Sequence, residues 1–203
     1  GYGAGVTRFF SAEATAYLTK FVFYFALSAM IFRFSANLSL GDLFDLNFML
    51  AYFSATFFVY LIATAVAILR KKPTDEAAIE AQCAVIGNVG FLGLPMLALL
   101  FGDGAVGLVM MVLAVDLIIF GSLVVMLIVG SRDGRMSLGI VKTLGMGLIK
   151  NPMIVSIVLG LTWSASGTPI PGPLNDFVTI LGDAATPGAL FAIGASLASK
   201  SAE

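Results

Sequence analysis

GNVGFLGLP, Gly87 to Pro95, puts three glycines, an asparagine and a proline inside a run otherwise apolar enough to cross a bilayer. Backbone groups freed by glycine and proline cost several kcal/mol each if they face lipid, so such a break has to face protein or a watery cavity. A half-helix ending near Gly87 would present carbonyls to a cation. One beginning near Pro95 would present N–H groups and a positive dipole end to an anion. Pro95 suits the first turn of a new helix, where its missing N–H costs nothing, and Asn88 adds both a donor and an acceptor. A second reading stands beside this one: Gly87, Gly90 and Gly93 recur every three residues and could line a close helix contact, with Pro95 an ordinary kink. Spacing leaves both open.

Outward from this stretch, the composition sets the class. The chain has 203 residues, of which 59% are hydrophobic and only 11% charged. A soluble domain of that length needs more charge to cover its surface, so the chain is expected to be an integral membrane protein. A net charge of −1 argues against nucleic acid as a partner. With Cys83 the one cysteine and no histidine, neither a disulfide framework nor a Cys/His metal site can be built, and any proton chemistry falls to carboxylates. No cofactor or metal is implied. The glycine pairs Gly102/Gly104 and Gly145/Gly147 lack the lysine and hydroxyl of a phosphate cradle, which leaves an ATP-driven pump unsupported. The chain starts at Gly1 rather than Met, from which a fragment is expected.

At about 20 apolar residues per crossing, six helical spans are expected. They run from Tyr17 to Ala36, Phe48 to Leu69, Ala77 to Phe101, Ala105 to Val129, Lys150 to Ser166 and Leu174 to Ala198. Runs this long do not fit a barrel. Arg8, Lys20, Arg70, Lys71, Lys72, Arg132, Arg135, Lys142, Lys150 and Lys200 all fall on one side of that topology, which the positive-inside rule makes cytoplasmic. The opposite loops hold Asp42, Asp45, Asp103 and Asp176. Arg33, near the outer end of the first span, breaks the pattern and is expected to snorkel. The reading is a multi-pass protein of the inner or plasma membrane, with the lipid bilayer as its first partner.

Several motifs resemble the auxin efflux carrier family of membrane transporters. GNVGFLGLPMLALLFG looks like that family's fourth-helix motif, KNPMIVSIVLGL (Lys150 to Leu161) like the start of its second half, ATPGALFAIGASLA (Ala185 to Ala198) like its seventh helix, and FVFYFALSAMIF (Phe21 to Phe32) like its second. The resemblance covers nearly the whole chain. It implies an all-α, ten-helix carrier of two inverted five-helix repeats, with a broken crossover helix and an architecture related to bile-acid/sodium symporters. On that reading residues 1–130 are the remainder of the first repeat. Residues 131–149 form a cytoplasmic linker and amphipathic lead-in, and 150–203 begin the second repeat. Ser28 stands where the family has a proline, so a kink there is expected to be weaker or absent, while Pro187 marks the matching hinge. Helices two to seven are represented and the second crossover is missing, so the isolated chain is not expected to transport.

Two intramembrane acids stand out. Asp116 lies at the centre of the fourth span, where an isolated carboxylate costs roughly 2.5–3.5 kcal/mol on insertion scales, so it should face the bundle interior. Asp183 lies closer to the outer face and can either line a cavity or reach the interface. Glu80 sits one turn into the third span, within reach of Lys71 and Lys72.

The function expected is therefore a secondary carrier, not an enzyme, moving a small organic anion such as a dicarboxylate or auxin-like carboxylate by alternating access. Gly87, Asn88, Gly90, Gly93 and Pro95 are its expected substrate site, and Asp116 and Asp183 its candidate proton carriers. Protons or sodium are the expected coupling ions, with a sodium-coupled bile-acid-type symporter and a non-transporting sensor or assembly module as the alternatives. Substrate, direction and oligomeric state, a homodimer included, stay open.

Overall fold

A computed structural model describes residues 1–37, 45–133 and 138–200, which form helices joined by short links with no strand among them. The helices are α1 (Tyr2–Val6), α2 (Ala12–Asn37), α3 (Leu46–Leu69), α4 (Thr74–Val85), α5 (Leu94–Phe101), α6 (103–133), α7 (Leu138–Lys150), α8 (Pro152–Ala165), α9 (Gly172–Asp183) and α10 (Ala185–Lys200). Asp42 and Arg135 of the charge map lie outside the described residues, and of Pro95 only the backbone is described.

Four stretches are long and apolar enough to cross a membrane: Ala12–Asn37, Leu46–Leu69, Gly104–Ser131 and Gly172–Ala198. The other two of the six expected spans are interrupted, and one of them counts as a fifth crossing if the bent pair Leu144–Lys150 and Pro152–Ala165 is a single span. The third span divides into α4 and α5 around a break. The fifth starts sharply, because Asn151 caps α8 by accepting from the Met153 N–H at 2.9 Å and Pro152 opens its first turn. That leaves α8 only 14 residues, about 21 Å at the usual helical rise and short of a hydrocarbon core of roughly 30 Å. It meets the end of α7 at 66°. The sixth span bends at Ala184, between α9 and α10. Pro187 falls in the first turn of α10, where no intrahelical bond is lost.

The first span starts earlier than expected, at Ala12, where the Ser11 hydroxyl accepts from the Ala14 N–H at 3.1 Å. Within it Val22–Ala26 form a π-helical turn. Ser28 donates its hydroxyl to the Phe23 carbonyl at 3.3 Å, bridging that wide turn, and the helix continues through Ser28 to Asn37.

The helices sort into two packed groups. In the first, α2 lies against α8 and α9, and α10 closes on α2 and α1. Glycines set these distances: a Cβ added at Gly182 would meet the Met30 Cα at 3.0 Å, and one at Gly160 would meet the Phe32 carbonyl oxygen at 2.8 Å and overlap Ser35. Where lipid is as apolar as the helix surface, such backbone approach is what association rests on. In the second group α3, α4 and α6 share a core of Tyr60, Ala81, Val115 and Phe120. Leu27, Met30 and Ile31 of α2 pack with Leu94, Val109, Leu113 and Met153, joining the groups through α5, the outer half of α6 and α8.

Candidate functional site

α4 ends at Val85. Ile86 is extended (φ −92°, ψ 116°) and its N–H closes the last turn on the Gln82 carbonyl at 3.0 Å. Residues 86–88 are not helical. A π-helical turn then begins at Val89 and runs to Gly93, with the N–H groups of Leu92 and Gly93 both donating to the Asn88 carbonyl, at 3.2 and 2.9 Å. α5 follows without interruption.

The second half-helix therefore starts at Val89, not near Pro95. Proline has no N–H to donate, and Pro95 follows Leu94 just after the π turn that ends at Gly93, inside a continuing helix. The consequence is compact. The last carbonyls of α4 and the leading amides of the next helix, which have no intrahelical partners by construction, are separated by Ile86, Gly87 and Asn88 alone.

Gly87 and Asn88 are exposed and Gly90 is buried. A Cβ at Gly90 would lie 2.7 Å from the Met153 Cε, whereas at Gly87 it would meet nothing within 4 Å and at Gly93 only its own turn, from 3.6 Å outward. The three glycines thus share no helix contact. Gly90 alone lets α8 approach, while Gly87 sits at the open break.

Asp116 is where its depth predicted, inside the bundle, with the residue 4% exposed. It opens a π-helical turn, Asp116–Phe120, in the middle of α6. The Tyr52 hydroxyl of α3 donates to its Oδ1 at 2.7 Å, while Oδ2 is buried with no hydrogen-bond partner among the described residues. Val85 and Ile86, at the edge of the break, pack against the core that flanks Asp116. The α4 edge of the break therefore shares a helical group with the buried acid, while Val89 and Leu94 beyond it pack with Leu27 and Met153 of the other.

Asp183 belongs elsewhere. It ends α9, its side chain is 64% exposed, and it lies 3.5 Å from the Arg33 guanidinium, which also rests over the Phe34 ring. Arg33 is paired rather than merely snorkelling. Glu80 pairs with Arg70 at 2.9 Å instead of Lys71 or Lys72, and Lys72 takes Glu76 at 3.2 Å. Sequence reasoning passed over Tyr52, Tyr60 and Gln82. Two tyrosines eight residues apart inside an apolar span were the available signal, since a phenol at that depth needs a partner.

The whole chain, residues 1–203, matches the profile of a family described as membrane transport protein. The chain belongs to that family. This is the family of the auxin efflux carriers, which the motifs resemble. It is 25% identical over 192 residues to a protein of Rhizobium meliloti (strain 1021) named "Putative malonate transporter", an alignment covering 92% of this chain and 59% of that relative. The chain thus spans about three-fifths of the length of the relative it matches. This family member is a multi-pass membrane protein of the transport class, and its broken helix and buried acid are read in that light.

Proposed function

We propose that this chain carries half of the machinery of a secondary carrier, which moves a small dicarboxylate such as malonate by alternating access. The observation that carries the proposal is the exposed Asn88 at a three-residue break that opens directly into the leading amides of the Val89–Phe101 stretch. Such amides and their dipole favour an anion. Asn88 adds a neutral donor, and the name of the Rhizobium relative supplies the substrate class. The full carrier on this reading is a ten-helix inverted repeat. Residues 1–130 and 150–203 belong to its two repeats, the 131–149 segment bearing α7 connects them, and Val85–Gly93 forms the first of two crossovers. Asp116 carries the coupling proton. Asp183 is set aside for that task, because an exposed carboxylate already facing Arg33 needs no proton to remain stable.

The test is uptake of radiolabelled malonate by the full-length protein in vesicles under an imposed proton gradient. Accumulation by the wild type and its loss in Asn88→Ala, with normal membrane insertion of the variant, are expected. Undiminished accumulation by that variant would sink the site assignment. Uptake that vanishes when sodium is replaced by choline would transfer the coupling to sodium, and malonate binding without accumulation would favour a sensor.

A further inference from the structure

A carboxylate buried in a membrane bundle is stable only if each oxygen is satisfied or the group gives up its charge. Asp116 meets half of the first condition. Oδ1 accepts from Tyr52 at 2.7 Å, and Oδ2 has no partner among the described residues. The Tyr60 hydroxyl and Gln82 Oε1 are also buried with no partner among the described residues, so α3, α4 and α6 each bury an unsatisfied polar atom. An unsatisfied polar atom is costly in a protein interior. Plain packing would have removed them.

We propose that Asp116 is a proton-exchange site held in place by Tyr52, in which the tyrosine hydroxyl fixes Oδ1 and Oδ2 alone takes up and releases the proton. The proton is taken from hydronium and returned to water, and no other bond forms or breaks. Tyr52 is a positioning residue: it keeps the carboxyl from turning Oδ2 out of the core, and its single donated bond serves both the charged and the neutral form. The charge that appears and disappears on Oδ2 lies in the core against which Val85 and Ile86 pack, so it acts on the α4 edge of the break. Of the other titratable groups on elements packed against α6, Tyr60 on α3 is neutral at ordinary pH. On α4, Glu80 is held by Arg70, Glu76 by Lys72, Asp75 lies in the first turn and Cys83 is exposed, and on α7 Lys142 and Lys150 are exposed. Among the described residues Tyr52 is the side chain bonded to Asp116.

This inference rests on the carrier reading for its purpose but not for its test. Infrared difference spectra of the full-length protein in lipid, recorded between acid and alkaline pH without substrate, read the protonated carboxyl stretch directly. A band is expected that is lost in Asp116→Asn, moves to higher frequency in Tyr52→Phe because its carbonyl loses a donor, and is unmoved in Tyr60→Phe. A band that survives Asp116→Asn, or one that Tyr52→Phe leaves in place, would overturn the proposal. Should Asp116→Asn fail to reach the membrane, the Tyr52→Phe shift decides alone. If the wild type takes up no malonate while the band behaves as expected, the carrier reading fails and the proton site stands. If both hold, Tyr52→Phe should lose proton-driven accumulation while keeping malonate counterflow, a separation that a merely structural tyrosine would not produce.

Discussion

The two helical groups solve the same problem in opposite ways. Around α2, helices meet through glycines at backbone distance: Gly160 faces Phe32 and Ser35, Gly182 faces Met30, and the buried polar side chains Thr15, Ser35 and Ser156 turn back on their own helix, as Ser35 does on the Ile31 carbonyl at 2.8 Å. Around α6 lie the Tyr52–Asp116 bond, three buried polar atoms with no partner among the described residues, and the end of a helix that stops at Val85. One group is built for close packing. The other gives up stability to hold polar atoms and free helix ends inside a membrane, which is the expected signature of the part that binds and moves something.

Substitutions can break that contrast. The largest effect is expected from Gly160→Leu, where the added side chain has only backbone and Ser35 to enter. A loss of about 1–3 kcal/mol or more should appear as a sharp drop in the thermal midpoint in detergent. Gly90→Ala should cost less, under roughly 1 kcal/mol, because the atom it meets is the far end of the flexible Met153 side chain. Tyr60→Phe should be neutral or slightly stabilising in the same assay, since it removes a buried hydroxyl that has no partner among the described residues. Asp183→Asn comes last, within about 1 kcal/mol, as an exposed ion pair allows. A Gly160→Leu protein as stable as the wild type would erase the distinction between the groups. A large loss in Tyr60→Phe would show that the α6 core is packed for stability after all.

Much of this was legible in the residues. Hydropathy and the one-sided distribution of lysine and arginine identified a multi-pass helical protein, and the motifs pointed to its family. The depth of Asp116 placed it inside the bundle, because a lone acid at that level has nowhere else to go. The register of the break was not legible. Proline suggested a helix start at Pro95, but the helix starts at Val89 with Pro95 inside it, and residue type alone does not distinguish the two arrangements. Asp183 was ambiguous because its partner, Arg33, lies 150 positions away and only the packing of α2 on α9 brings them together. The continuity of the fifth span was not legible: Asn151 and Pro152 start α8 afresh, so α8 alone is short and joins the end of α7 only across a 66° bend. Tyr52 escaped notice because an aromatic residue in an apolar span reads as packing until its hydroxyl is seen on a carboxylate.

The central claim is that the open break, not the tightly packed group, receives the substrate. Equilibrium binding of radiolabelled malonate to the purified full-length protein tests it most directly, with Asn88→Ala compared against Gly182→Ala. The account predicts that Asn88→Ala weakens binding by roughly tenfold or more, the worth of a hydrogen bond to a charged group, while Gly182→Ala, if it folds, binds as the wild type does. Wild-type affinity in Asn88→Ala would contradict it.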